Sequence, residues 1–303
     1  MPPASTPAPS ASTPAPKTTA APKTTAIVLA LGALYVIWGS TYLGIRVALE
    51  GFPPLLMAGS RFVVAGAVLY TALRLRGAPR PSPRGWGAAA IVGPLLVGAN
   101  ALVSTAEVQV SSSVAAIVVA SVPLWTAIAA AISGQRPTAR EWIGIAVGIA
   151  GVVVLQAGGE LRGSPAGAAL LVLSTWCWAS GSIVSRRLPL PEGLMASAAE
   201  QLCGGAVILA AALVRGERIG AAPALRPTLA WVYLIVFGSL VAFSAYVWLL
   251  RHVRPALATS YAYVNPAVAV GLGALAGEAI PPRALAALAL VVAGVVIVAT
   301  RRR

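Results

Sequence analysis

Acidic variety is the first thing this chain lacks: its 303 residues contain eight Glu and no Asp, a single His and two Cys, and charged side chains make up only 10% of it. Without Asp, and with His252 alone at the end of an apolar run, no nucleophile triad and no cluster of metal ligands can be read from the chain. No glycine-rich loop that would cradle phosphates is present either, so driving by nucleotide hydrolysis would need a partner. Cys177 and Cys203 both fall inside apolar segments, where Cys packs as a small hydrophobe rather than as a disulfide partner. A soluble domain carries about 25% charged residues, which this chain does not approach. Its net charge of +14 would suit nucleic acid, but the basic residues are spread between apolar runs and form no compact face, so no nucleic-acid partner is expected.

What fills the sequence instead is apolar, at 58% hydrophobic residues and a mean hydropathy of +0.84. Stretches of about 18–22 residues with at most one charge can cross a ~30 Å hydrocarbon layer as helices. Several stretches meet that length, and ten apolar segments in all are expected, over 27–48, 54–73, 86–106, 112–133, 142–157, 166–185, 194–214, 229–250, 256–276 and 285–300, joined by short connections rich in Gly, Pro and Arg. The fold class read from this is an all-α polytopic membrane protein whose main partner is the lipid bilayer. Connections this short hold no soluble catalytic domain. Residues 1–25 are mostly Pro, Ala, Ser and Thr, with the six-residue run of Ala15–Ala20 repeated at once, and are expected to form a disordered tail. The tail lacks the charged start and short apolar stretch of a secretory signal, so the first apolar run is expected to stay as a span.

The chain also repeats itself. Gly134-Gln135-Arg136-Pro137-Thr138-Ala139-Arg140, followed by Gly151, recurs 143 residues later as Gly277-Glu278-Ala279-Ile280-Pro281-Pro282-Arg283, followed by Gly294. The same spacing aligns Pro123 with Pro266, while Trp38-Gly39-Ser40 aligns with Trp178-Ala179-Ser180 at a spacing of 140. A period near half the chain marks a duplicated half rather than a solenoid, giving expected units at 26–158 and 163–300. Lys and Arg in alternate connections fall fifteen to six in favour of the side that holds the N-terminal tail, which predicts both termini in the cytoplasm. Five spans per half turn the second unit over. The expected architecture is therefore ten transmembrane helices as two inverted five-helix repeats, the plan from which many secondary transporters obtain alternating access.

Ionisable groups deep in a span are costly, and two stand there: Arg61 in the second span and Glu200 in the seventh, at nearly equivalent places in the repeat. They could pair across the centre or bind substrate, and Glu200 could carry protons; a structural ion pair accounts for them equally well. Asn100, towards the middle of the third span, offers both donor and acceptor, whereas Glu107 is expected at a solvated end. In the ninth span Pro266 removes a backbone donor and frees a carbonyl about one turn earlier, and Pro123 makes the matching break in the fourth. Ser260, Tyr261, Tyr263 and Asn265 are placed to satisfy such groups or a ligand, although kinks that serve packing alone would read the same. Trp38 with its neighbour Ser40, and Trp178 in the sixth span, are expected on the walls of a central cavity, with aromatic helix packing as the competing role. Trp86, Trp142 and Trp231, at span starts, read as interfacial anchors.

Three stretches carry a resemblance. Tyr35-Val36-Ile37-Trp38-Gly39-Ser40-Thr41-Tyr42, Pro53-Pro54-Leu55-Leu56-Met57-Ala58-Gly59-Ser60-Arg61-Phe62, and the run from Pro255 through Tyr261 and Tyr263 to Asn265-Pro266 resemble the EamA family of the drug/metabolite transporter superfamily, and within it the YedA-type drug/metabolite exporters. The resemblance implies an inner-membrane exporter of small metabolites or drug-like compounds, with a central cavity between inverted repeats, no enzymatic activity and no cofactor. A permease for amino acids or other metabolites working in the uptake direction is the alternative, followed by a membrane-embedded enzyme or sensor. Proton coupling and a homodimer are left open. Gly277-Glu278 resembles the acidic turn that closes the fourth helix of each family repeat; the first half departs from it with Gln135.

Overall fold

A backbone surrounded by apolar side chains and lipid must satisfy its own N–H and C=O groups, and helices do so within one segment. In the computed structural model, which describes residues 24–132, 138–156, 164–253, 255–258 and 260–299, every regular element is accordingly helical. Helix α1 spans Thr24–Ala48 with a π-helical turn over Leu34–Trp38. It is followed by α2 (Pro54–Leu75), α3 (Pro83–Ala106), α4 (Ser112–Val119), α5 (Val122–Ile132) and α6 (Ala139–Gln156). Then come α7 (Pro165–Val184), α8 (Leu194–Val214) and α9 (Leu225–His252), the last with a π-helical stretch over Leu234–Phe243. The chain continues through α10 (Pro255–Ala258), α11 (Tyr261–Leu275) and α12 (Pro282–Ala299). Among the described residues, seven helical stretches are long and apolar enough to cross a membrane; α11 and α12 contain shorter apolar runs. The tail at 1–23, Gln135 and the end of the fifth expected span at Ala157 lie outside the described residues.

Local chemistry sets the boundaries. Helices α2, α3 and α7 begin with Pro, whose missing N–H and fixed φ suit a first helical turn. The hydroxyls of Ser82, Ser111 and Ser164 accept the N–H of Gly85, Val114 and Gly167. Helices α2, α8 and α11 end at glycines with φ of +82°, +72° and +88°, Gly77, Gly216 and Gly277, a conformation that side chains disfavour. Two expected spans are interrupted, but not at equivalent places. The fourth breaks at Ala120–Ser121, so that Pro123 falls in the first turn of α5. The ninth breaks near Ser260, and Pro266 lies inside α11. Pro123 thus sits where a helix start has no partner for its N–H, whereas Pro266 is carried within a continuing helix.

Packing is closest where glycines let backbones meet. On the α2–α8 crossing, a Cβ on Gly59 would lie 2.8 Å from Leu209 N, one on Gly66 2.9 Å from Leu202 N, and one on Gly205 2.8 Å from Val63 N. Rising numbers on α2 meet falling numbers on α8, so this pair is antiparallel. Gly204 of α8 also rests on the backbone of Gly93 in α3, and Gly151 of α6 on that of Ala287 and Val291 in α12. Helix α7 packs along α3, and α9 and α11 pack along α1. The core divides into one cluster around Met57, Val103 and Ile117 and a second around Trp178, Phe243 and Tyr246.

Glu107 departs from expectation. It is fully buried, with neither carboxyl oxygen hydrogen-bonded among the described residues: the turn after α3 folds inward, and Arg46 Nη1 donates to its backbone carbonyl at 2.6 Å. Glu278 is the reverse case, a carboxylate with a full set of donors. Its Oε1 accepts the N–H (3.2 Å) and hydroxyl (2.6 Å) of Ser112, and its Oε2 accepts the N–H (3.2 Å) and hydroxyl (2.6 Å) of Ser113. Partial burial pushes this carboxyl up, but the four donors outweigh it and hold it below the usual carboxylate range.

Two outcomes are expected. Gly204→Val forces a side chain into the Gly93 backbone and lowers the thermal midpoint of the purified protein, by about 1–3 kcal/mol or more of stability, whereas Gly87→Ala, with open space around it, leaves the midpoint unchanged or raised. Because the Glu278 value is depressed in the folded state, its contribution is present above the ordinary carboxylate range and is lost as pH falls through the lowered value. Melting curves over an acid series should show this loss in the parent protein and a shallower one in Glu278→Ala.

Candidate functional site

A π-helical turn bonds i to i+5 and leaves carbonyls for other groups to take; such turns recur at functional sites. Here two face each other, in α1 and α9, and side chains take up their carbonyls. Trp38 Nε1 donates to Gly238 O at 3.3 Å, across from α1 to the π-helical stretch of α9. The Asn265 amide nitrogen lies 3.2 Å from the carbonyls of Leu34, Tyr35 and Tyr261, with the amide oriented to suit those acceptors. Its two hydrogens serve two of the three at a time.

Around this junction the rings gather. Trp38 and Trp178, equivalent in the repeat, meet edge to face with centroids 5.3 Å apart. Tyr261 stands edge-on to Trp38 at 5.1 Å, and Tyr246 lies 5.2 Å from Trp38 and 5.0 Å from Trp178. The Tyr246 hydroxyl is held by the Ser182 hydroxyl at 2.7 Å, and Ser182 in turn donates to Trp178 O at 2.6 Å. Trp178 Nε1 is buried and, among the described residues, meets no acceptor in hydrogen-bond geometry.

The rings of Trp38, Trp178 and Tyr261 form one wall of a narrow, partly open cleft, with Tyr246 packed against them outside its lining. Ile45, Val103, Val119 and Val122 supply apolar surface on the other sides, and Thr41, Asn100, Ser174 and Asn265 supply the polar points. Asn100 is fixed in place: its Nδ2 donates to Leu96 O at 3.2 Å, and its Oδ1 accepts Arg61 Nη2 at 2.9 Å. Arg61 stands behind that wall, 2% exposed, its guanidinium 4.6 Å from the Phe62 ring centroid and its Nε without a hydrogen-bond partner among the described residues.

Of the residues expected at a site, Trp38, Asn100, Trp178, Tyr261 and Asn265 line this one cleft. Pro123 is the neighbour of the lining Val122, and Pro266 follows Asn265 along α11. Ser40 turns elsewhere, bonding Ile37 O at 2.8 Å and the Tyr233 hydroxyl at 2.6 Å. Ser260 bonds the Tyr35 hydroxyl at 2.7 Å beside the break before α11. The side chain of Tyr263 lies outside the described residues. Arg61 and Glu200 do not pair. The antiparallel register that sets Gly59 by Leu209 and Gly66 by Leu202 places Arg61 level with about residue 207, roughly seven residues or ~10 Å of helix rise from Glu200. Glu200 is fully buried on α8, with neither carboxyl oxygen hydrogen-bonded among the described residues, and its backbone carbonyl abuts Gly93. Tyr246 was not anticipated. A phenol in the middle of an apolar span was the available signal, since its hydroxyl must find a partner there. Among the described residues no three His, Cys, Asp or Glu come together to hold a metal ion.

Such a cleft can hold a small molecule by a ring or apolar portion against the tryptophans and by a polar group at the amides. The EamA-like transporter family matches residues 24–156 and 165–300, which is nearly all of the described chain. The chain belongs to this family. The uncharacterized inner membrane transporter YedA of Escherichia coli (strain K12) is 48% identical over 272 residues, covering 89% of each chain. A protein of Streptantibioticus cattleyicolor named "Probable terminal-alkyne amino-acid exporter" is 29% identical and covers 92% of this chain and 95% of its own. One solved crystal structure, 24% identical, superposes with a TM-score of 0.65 over 90% of this chain and 97% of its own, a likeness of fold. This EamA-like chain is thus a membrane transporter, with a cleft at the meeting point of the two matched regions. Asn265→Leu strands the α1 carbonyls and is expected to reduce stability by about 1–3 kcal/mol; unfolding of the purified protein in detergent measures it, with Ser40→Ala as the comparison outside the cleft.

Proposed function

We propose that this EamA-like protein exports small amphipathic metabolites or drug-like compounds across the inner membrane by alternating access between its two halves. The observation that carries this reading is the cleft walled by the repeat-equivalent Trp38 and Trp178. Ten crossing segments follow when α4 with α5, and α10 with α11, are each taken as one broken span and α6 and α12 as whole ones. The halves at 26–158 and 163–300 are then inverted repeats, which the antiparallel α2–α8 and α6–α12 pairs support. The fifteen-to-six bias of Lys and Arg supports cytoplasmic termini. Export of an organic solute is supported by the Streptantibioticus relative's name, and an apolar or aromatic portion on that solute by the ring-walled cleft. Paired broken helices at a central site are a device of secondary transporters, so a solute or ion gradient is the driving force.

Purified protein in liposomes should move members of a panel of amino acids, nucleosides, sugars and cationic dyes, with efflux and influx followed separately. Trp178→Ala and Asn100→Leu are expected to raise the half-saturating concentration at least about tenfold, the loss of one well-packed polar or aromatic contact. No flux for the whole panel overturns transport of these classes, and unchanged affinity in both variants overturns the cleft. Glu200→Gln tests proton coupling in the same liposomes: an unchanged pH dependence confines Glu200 to structure.

A further inference from the structure

Three helices end alike but not with the same residue. After the positive-φ glycine, the next N–H turns back to the carbonyl five residues earlier: Ala78 to Leu73 at 3.0 Å after α2, Glu217 to Ala212 at 2.9 Å after α8, and Glu278 to Gly273 at 2.8 Å after α11. In the last two that residue is an acid, and each acid reaches the start of a helix in the other half. Glu217 Oε2 accepts the N–H of Leu56 in the first turn of α2 at 2.8 Å, while Glu278 takes the N–H groups and hydroxyls of Ser112 and Ser113 at the start of α4. A helix start presents unpaired N–H groups and the positive end of the peptide dipoles, so a carboxylate is the group that suits it. Both junctions lie on one face, since Arg46 near the end of α1 reaches the carbonyl of Glu107 in the turn that leads to α4.

In sequence, the opposite face lacks the equivalents. The repeat spacing that sets Glu217 by Leu56 sets Ala78 by the start of α8, but the alanine side chain carries no acceptor, and Gly193 at the N-cap gives α8 no side-chain cap. The counterpart of Glu278 is Gln135, which carries no charge, and the positions matching Ser112 and Ser113 hold Pro255 and Ala256, which carry no hydroxyl. Acid and hydroxyls are missing together.

We propose that Glu217 and Glu278 form a one-sided latch that holds the first half to the second on this face, so that the halves separate more readily on the opposite face. This rests on the reading of two halves that move against each other, and the test therefore reads geometry as well as flux. In the full chain with Cys177→Ala and Cys203→Ala, spin labels at the exposed positions Val108 and Leu275 report the latched face, and labels at the exposed Leu75 and Leu194 report the other. Electron–electron distance measurements in lipid nanodiscs should show the latched pair narrow in the parent protein. In Glu217→Ala/Glu278→Ala that pair should broaden and shift to longer distance, with the opposite pair little changed. Ala78→Glu, which supplies a carboxylate at the start of α8, should narrow the opposite pair. An unchanged latched pair, or equal broadening on both faces, overturns the latch. If the alanine variant does not fold, Glu278→Gln and Ala78→Glu decide by the same criteria. Shifted distances in a protein that moves no solute would leave the latch standing and overturn transport, whereas normal flux with unshifted distances would overturn the latch alone.

Discussion

The backbone's need for hydrogen-bond partners in an apolar setting governs most of what this molecule does. A chain with 10% charged residues has little polar side-chain chemistry to spend on stray carbonyls, so nearly every one must be closed within a helix. The exceptions are therefore informative. The π-helical turns of α1 and α9 release carbonyls in the middle of the protein, and Trp38 and Asn265 meet three of them across helix boundaries, while Ser40 and Thr41 serve others within α1. Trp38 and Asn265 line the cleft. The irregular backbone and the binding surface are the same feature seen from two sides: a helix that loosens its ladder needs polar side chains beside it, and those side chains also face a space where a solute can sit.

Glycine contacts fix where that space lies. Because α8 rests backbone to backbone on both α2 and α3, these three helices meet with no space for a side chain at Gly93 and Gly204. Arg61 is held beside this crossing against Asn100, so the cleft meets the amide of Asn100 rather than the guanidinium itself. A buried cation one contact away still matters. It polarises the amide whose oxygen it occupies and leaves that amide's position fixed while a ligand comes and goes.

Much of this was legible in the residues. Apolar run length and turn chemistry locate the helices to within a few positions, and the duplicated Trp-x-Ser run marks Trp38 and Trp178 as equivalent residues expected on the walls of a cavity. Pairing across the repeat was not legible for Arg61 and Glu200, because alignment says which positions are equivalent and not which ones touch. In an antiparallel pair, equivalent residues fall level only near the crossing point, and these two lie away from it. Glu107 was misread for a related reason: its place just past a span end suggests water, but whether a turn folds outward or inward depends on packing that no local pattern records. The π-helical turns left no trace at all, since Leu34–Trp38 and Leu234–Phe243 read as ordinary apolar helix.

Duplication also limits what the fold alone can decide. Two identical inverted halves would open to either side with equal ease, since exchanging the halves turns one state into the other. Any resting preference must then come from residues that break the repeat, and Glu217, Glu278, Ser112 and Ser113 are breaks of this kind on a single face. Such contacts act on the populations of the two states and do not set the direction of net flow, because they are remade in every cycle and contribute nothing over a complete turn. Direction comes from the gradient, while the breaks in symmetry set which face waits open for solute. For an exporter with both termini in the cytoplasm, as proposed, a latch on the opposite face leaves the inner face ready to receive its cargo, which is the side from which that cargo must come.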